Sequence, residues 1–248
     1  MAGIHFHDAI GPEGIRVYAI GDVHGRLDLL TAMHSAIHEE IARDGVADWR
    51  IVQLGDYVDR GPDSNGVLDF LVARQASEPR LITLAGNHDI GFLDFLAEPD
   101  MDGLFVNWGG DATSRSYGIG ADFTDGVRLA RTHSELVQAV PVAHTSFLRS
   151  LGFSASFGDF FFCHAGIQPG VPLEAQSPDD LVWIRDRFLR HTGLHPKVVV
   201  HGHTPYSEPE VMANRVNVDT LAYASGVLTA LVIDGKYKRF VTVRVPGR

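Results

Sequence analysis

The stretch Leu81-Ile82-Thr83-Leu84-Ala85-Gly86-Asn87-His88-Asp89 decides how the rest of this 248-residue chain is read. A largely apolar run passes directly into a glycine and then an amide, an imidazole and a carboxylate, as in a buried strand that delivers chemistry at its C-terminal end. Two earlier stretches have the same build. Val17-Tyr18-Ala19-Ile20 runs into Gly21-Asp22-Val23-His24-Gly25, and Ile51-Val52-Gln53-Leu54 runs into Gly55-Asp56-Tyr57-Val58-Asp59-Arg60-Gly61. An α/β sheet gathers a site in this way, along the edge where its strands end. Between these runs the apolar residues fall at helical spacing: Leu27, Leu30, Ile37 and Ile41 before Gly45, then Val67, Leu68, Leu71 and Val72 after a helix start at Pro62-Asp63-Ser64. The β-α-β-α-β succession calls for parallel strands joined by right-handed crossovers.

Further out the patterns change. A helix is expected over residues 90–96, but over 98–127 periodicity fails among Gly103, Gly109, Gly110, Gly118, Gly120 and Gly126. So long an irregular stretch inside a compact domain is a functional surface element or a mobile one. With a helix over 132–151 interrupted at Pro141, residues 98–151 are read as an insertion that shapes a substrate groove. Residues 153–157 and 160–163 around Gly158-Asp159 read as a hairpin, followed by a helix over 178–191 and strands at 198–201, 216–219, 228–233 and 240–245. The expectation is therefore one α/β domain over 1–248 with a strand-rich second half packed as a second sheet on the first, and residues 1–14 as a tail.

Composition narrows the function. A net charge of -10 argues against broad electrostatic affinity for nucleic acid, so an anionic substrate must be met by metal or by a few arginines. Cys163 is the only cysteine, which excludes an intrachain disulfide and suits a reducing, cytoplasmic compartment; at the end of Phe160-Phe161-Phe162 it reads as a core residue. No segment approaches the apolar length of a membrane helix and none resembles a secretory leader, so no membrane partner is expected.

Two more loops carry site-like groups immediately beyond apolar runs, His164-Ala165-Gly166 and Gly202-His203-Thr204-Pro205. Asp22, His24, Asp56, Asn87, His164 and His203 together make six oxygen and nitrogen donors at strand ends. Carboxylate, amide and imidazole without thiolate suit Mn, Fe, Zn or Mg rather than a structural zinc site. With one carboxylate bridging, six such side chains hold two ions about 3.5–4 Å apart, which clamp a phosphate and lower the pKa of a shared water so that hydroxide attacks phosphorus in line. His88, next to Asn87 but free of a ligand role, is the candidate proton donor to the leaving oxygen, with Asp59 on its other nitrogen. Arg60 and Arg185 can each present a fork to phosphate oxygens. His201 has two readings, a support for His203 or a buried core histidine; Asp89 reads as a helix cap and Trp183 as core.

The ordered set Gly-Asp-x-His-Gly, Gly-Asp-x-x-Asp-Arg-Gly, Gly-Asn-His-Asp, His164-Ala165-Gly166 and Gly202-His203-Thr204-Pro205 resembles the phosphoprotein phosphatase branch of the calcineurin-like metallophosphoesterases, above all its small bacterial and bacteriophage-lambda-type members, over roughly residues 16–220. The resemblance implies a β-sandwich of two mixed sheets flanked by helices. It implies a bimetal centre, most often Mn, in which Asp22, His24 and Asp56 hold one ion and Asp56, Asn87, His164 and His203 the other, with His88 and Asp59 as acid and partner and Arg60 and Arg185 as phosphate clamps. The implied substrate is a phosphorylated protein on serine or threonine, with phosphotyrosine as an extension, or a small phosphomonoester. Two departures stand out: Ala85 occupies a position that is arginine in many members, and Pro205 occupies the second histidine position of the nuclease and phosphodiesterase branch. A related family of dinucleoside polyphosphate and capped-RNA hydrolases shares the first and third motifs but carries Ala where Asp59 stands, so Asp59 favours the phosphatase reading; a non-catalytic binding module is the third alternative.

Overall fold

The computed structural model describes residues 3–244. Strand β1 (Arg16–Ile20) leads into α1 (Leu27–Asp44), β2 (Trp49–Gln53), α2 (Ser64–Ser77), β3 (Leu81–Thr83) and α3 (Asn87–Ala97). The middle of the chain holds α4 (Leu104–Asn107), α5 (Gly110–Ser116), α6 (Gly126–Ala139) and α7 (Val142–Arg149). The last third contains the hairpin β4 (Ser154–Phe157) and β5 (Phe160–Cys163), then α8 (Pro178–Trp183), α9 (Asp186–Leu189), β6 (Val198–His201), β7 (Glu210–Val211), β8 (Arg215–Asn217), α10 (Ala222–Ser225), β9 (Val227–Asp234) and β10 (Tyr237–Arg244).

The strands form two five-stranded mixed sheets, ordered β10-β9-β1-β2-β3 and β4-β5-β6-β8-β7. β1, β2 and β3 are parallel and β9 joins β1 antiparallel, while β5, β6 and β8 are parallel and carry antiparallel partners at both edges. Successive strand side chains point to opposite faces, so a strand covered on both sides reads as a continuous apolar run. In β1, Val17 and Ala19 enter the core between the sheets, where they join Val52, Leu54, Phe160, Phe162, Val198 and Val200, while Tyr18 and Ile20 pack against the helical layer. In β5 the other parity, Phe161 and Cys163, meets Phe188 and Leu181 on the outer face of the second sheet. Truncating a fully buried side chain such as Phe162 to Ala would cost about 3–5 kcal/mol. This architecture, two mixed sheets flanked by helices, is the expected α/β fold.

Several boundaries differ from expectation for physical reasons. α3 begins at Asn87, three residues early, because the Asp89 carboxylate at its third position accepts the Gly86 N–H at 2.9 Å and caps it. The glycine-rich stretch holds α4 and α5, each too short to show periodicity, and α6 begins at Gly126 because Asp125 caps it. The helix expected over 178–191 is two, broken at Arg185, whose φ and ψ are -129° and -100°. β7 has two residues, and β8 begins and ends earlier than read. The lead-in is irregular yet packed: Ile4 N–H donates to His195 O, Phe6 N–H to Ala213 O, and Lys238 Nζ donates to the carbonyls of Phe6, His7 and Ala9. Met1, Ala2 and Val245, which the tail and last-strand readings included, lie outside the described residues. No helix among the described residues is long and apolar enough to cross a membrane.

Candidate metal centre

The loops that follow β1, β2, β3, β5 and β6 meet at one place. Six non-glycine residues among those described have positive φ, and five of them, His24, Asp56, Asp59, Arg60 and His203, lie in these loops. Such backbone costs roughly 1–3 kcal/mol per residue and persists only where neighbours over-determine it. The neighbours are visible. Asp89 accepts N–H groups from Asp56 at 2.8 Å, Tyr57 at 2.9 Å and Gly86 at 2.9 Å, which ties the second loop to the third. Burial, with the nearby Asp56 charge, pushes the Asp89 carboxyl up to about 8. Two glycines are required by close approach, since a side chain at Gly86 or Gly202 would run into the carboxylates of Asp56 and Asp22.

Six expected donors are brought together and buried: Asp22, His24, Asp56, Asn87, His164 and His203 are each 5% exposed or less. Asp56 sits at the centre. Donor atoms of Asp56, His164 and His203 lie within 4.8 Å of one another, and so do those of Asp56, His24 and His88. His88 thus joins His24 and Asp56 in the second group. The Asp22 carboxylate accepts the His203 N–H at 3.1 Å, and burial together with Asp219 and Asp56 raises its pKa well above the usual range.

Tautomers follow from the partners. His24 Nδ1 lies 2.7 Å from Val58 O and His164 Nδ1 lies 2.9 Å from Leu54 O. A carbonyl only accepts, so both Nδ1 atoms carry the proton and both Nε2 lone pairs face inward. Burial lowers the pKa of His24 to about 3 and lowers those of His164 and His203. His164 Nε2 and His203 Nδ1 then converge on Asn87 Oδ1 at 3.0 and 2.9 Å, and His203 Nε2 is buried without a partner. Neutral imidazoles, an amide oxygen and mutually repelling carboxylates pointing at common space make a donor set that fits divalent cations.

Beside these donors lies a group suited to proton transfer. His88 Nδ1 is 2.7 Å from Asp59 Oδ2, and both residues are buried. Burial alone would lower the His88 pKa, but Asp56 and Asp59 outweigh it and raise it. Arg60 donates through Nη1 to His24 Nε2 at 3.2 Å and through Nη2 to His88 Nε2 at 2.8 Å. Arg185 is exposed at the start of α9, near enough for its charge to depress the pKa values of His164 and His203.

Other residues near the site escaped the sequence reading. Tyr223 packs its ring 5.1 Å from the Arg60 guanidinium and 5.4 Å from His24, edge-on. Asp219 is buried beside Asp22, and burial raises it to about 6. Thr113, on α5, hydrogen-bonds Asp59. Trp183 is not core: it is 43% exposed, with its ring edge-on to His203 at 6.4 Å. His201 follows the buried reading, with Nδ1 on Gly202 O and its ring against Phe188.

The sequence signature of calcineurin-like phosphoesterases matches residues 15–231, which includes all five loops that meet at the site. The chain belongs to the calcineurin-like phosphoesterase family. It is accordingly a metal-dependent phosphoester hydrolase, and the family's centre is dinuclear. The chain is 26% identical to the bis(5'-nucleosyl)-tetraphosphatase PrpE [asymmetrical] of Anoxybacillus flavithermus, over 92% of this chain and 93% of that protein. It is 24% identical to serine/threonine-protein phosphatase 2 of Salmonella typhimurium, over 86% of this chain and 90% of that one. Among solved structures, a provisionally assigned diadenosine tetraphosphatase superposes with a TM-score of 0.65 at 20% identity over 100% of both chains. A serine/threonine phosphatase from Saccharomyces cerevisiae with similarity to human phosphatase PP5 superposes with a TM-score of 0.58 at 14% identity, over 98% of this chain and 86% of that one. These likenesses are to a shared fold.

Proposed function

We propose that this phosphoesterase hydrolyses phosphate monoesters, acting as a serine/threonine protein phosphatase whose chemistry extends to phosphotyrosine. The observation that carries the reading is the buried His88–Asp59 pair at 2.7 Å with Arg60 against it. An alkoxide leaving group such as serine needs a proton as the ester bond breaks, and a positioned imidazolium is the side chain suited to give it near neutral pH. Asp22, His24, Asp56, Asn87, His164 and His203 would hold two divalent ions, Mn foremost, with Asp56 common to both. Bound there, the ions would supply Lewis acidity toward phosphoryl oxygens and a water of lowered pKa.

The chain's own groups do the rest. Arg60 exchanges its two imidazole partners for two phosphoryl oxygens, which matches its planar fork and releases His88 Nε2 to carry a proton. Asp59 Oδ2 holds the Nδ1–H, fixes the ring and stabilises its charge. Arg185 adds positive charge at the rim, and the 98–151 stretch shapes the groove, a reading supported by the hydrogen bond from Arg60 N–H to Gly109 O. A second reading, hydrolysis of dinucleoside polyphosphates, is favoured by the full-length likeness to a bis(5'-nucleosyl)-tetraphosphatase. A substrate series with added Mn separates them. The expected order of kcat/KM places phosphoserine and phosphothreonine peptides and p-nitrophenyl phosphate above diadenosine tetraphosphate, with bis-p-nitrophenyl phosphate weakest. A value for diadenosine tetraphosphate far above that of every phosphopeptide transfers the assignment to the second reading.

A further inference from the structure

The proton-transfer pair is held from behind by a residue of the irregular middle stretch. Thr113 lies on α5, is fully buried, and comes from 54 positions away to reach Asp59. Its Oγ1 donates to Asp59 Oδ1 at 2.8 Å and lies 2.8 Å from the Asp59 backbone N, whose hydrogen it accepts. A threonine hydroxyl has one proton, and the carboxylate takes it. The 2.9 Å contact with Ser64 Oγ must then use the serine's proton. Ser64, just beyond the helix cap Asp63, also lies 3.1 Å from Asp59 N and shares that N–H.

Two features make this clamp more than core packing. Asp59 sits at φ 71°, in the left-handed region that L residues other than glycine adopt sparingly, and its backbone N–H is held by a fixed acceptor there, which keeps the direction of the carboxylate. The two carboxylate oxygens are also divided between partners: Oδ2 serves His88 and Oδ1 serves Thr113. Without the hydroxyl, Oδ1 is buried with an unmet lone pair and the carboxylate is free to turn about its Cβ–Cγ bond, away from the imidazole.

We infer that Thr113 is a positioning residue for phosphoryl transfer, its hydroxyl fixing both the backbone and the carboxylate of Asp59 so that His88 is presented to the leaving oxygen. The inference rests on the reading of His88 as proton donor. It predicts an effect confined to protonation of the leaving group. Thr113→Val, nearly isosteric, should lower kcat for a phosphoserine peptide about 10- to 100-fold, the range for losing a group that orients a catalytic one, with KM within about twofold. For p-nitrophenyl phosphate, whose leaving group needs little protonation, the loss should stay below about threefold. Thr113→Ser should restore the peptide rate. In water the His88 Nδ1 proton, assigned by its disappearance in His88→Asn, should resonate downfield in the native protein and in Thr113→Ser and move upfield in Thr113→Val.

Equal losses for both substrates in Thr113→Val, or a serine variant as poor as the valine one, overturn the inference. If Thr113→Val does not fold, Thr113→Ala carries the same comparison, and loss of folding in both variants while Thr113→Ser is normal in fold but slow on the peptide also overturns it. Parallel measurement of His88→Asn separates the two levels. A leaving-group-dependent loss there without one in Thr113→Val removes only the positioning role, whereas an equal loss for both substrates in His88→Asn removes the proton-donor reading on which it depends.

Discussion

The two sheets meet at one site but bring different chemistry to it. The loops after the parallel strands of the first sheet supply Asp22, His24, Asp56, Asp59, Arg60, Asn87 and His88, which include all the charged groups proposed to take part directly, except Arg185 on the rim. The second sheet supplies His164 and His203, both made neutral by burial. Backbone strain is concentrated in the same set, with four of the five left-handed site residues in the first set and one in the second. On the proposed mechanism, charge and proton handling depend on loops locked to one another through Asp89, while the second sheet closes the site with uncharged nitrogen donors. Damage to the first set should be irreversible, and damage to the second should be recoverable.

The largest effect is expected from Asp56→Asn, a loss of kcat/KM of about 10⁴-fold or more that excess Mn does not repair, because Asp56 stands in both donor groups. Titrating activity against Mn checks this, and near-normal rates with two ions bound would break the contrast. His88→Asn should follow, keeping its metal content while losing about 10²- to 10⁴-fold in kcat on a phosphoserine peptide and much less on p-nitrophenyl phosphate. His203→Ala, from the second sheet, should lose about 10- to 100-fold at limiting Mn and regain most of it at saturating Mn. If Mn restores Asp56→Asn better than His203→Ala, the two sheets do not divide the work as described.

The smallest effect concerns an imidazole of the first sheet's helical layer that serves packing. His34 on α1 bonds Gln53 at 2.9 Å, and burial, aided by Arg74 and His38, lowers its pKa from 6.5 to about 3. The unfolded chain binds the proton first as pH falls, so the stability this neutral ring contributes is complete above pH 6.5 and is lost between 6.5 and about 3. Unfolding free energy should drop by about 1 kcal/mol between pH 6.5 and 5.5 from this residue alone, and urea titrations of His34→Gln should show that part of the slope gone.

The strand-end loops were legible because each couples two local signals, an apolar run of strand length and a glycine followed by donors. Tyr223, Thr113 and Asp219 have no such frame. Thr113 stands in a seven-residue helix within a glycine-rich stretch and reaches Asp59 across 54 positions, a relation that periodicity cannot express. A tryptophan among Leu181, Val182 and Ile184 looks like core, yet the turn at Arg185 leaves the Trp183 ring at the site's mouth. The approach of His88 to His24 and Asp56 depends on side-chain direction, which strand order leaves open.

The position of β1 has a consequence for how the protein is made. This strand, synthesised well before β9, lies in the middle of its sheet with β2 on one side and β9 on the other, where Arg16 is in register with Asp234. Asp22 in turn meets His203 across 181 positions. Contacts so distant in sequence close late, after the intervening loop entropy has been met. A nascent chain on the ribosome can shape α1 and α2, but its first sheet keeps an open flank until β9 emerges. Completion of the first sheet therefore waits for the β9–β10 hairpin, and a chain cut short before residue 227 would expose the flank of β1 as a ready template for aggregation.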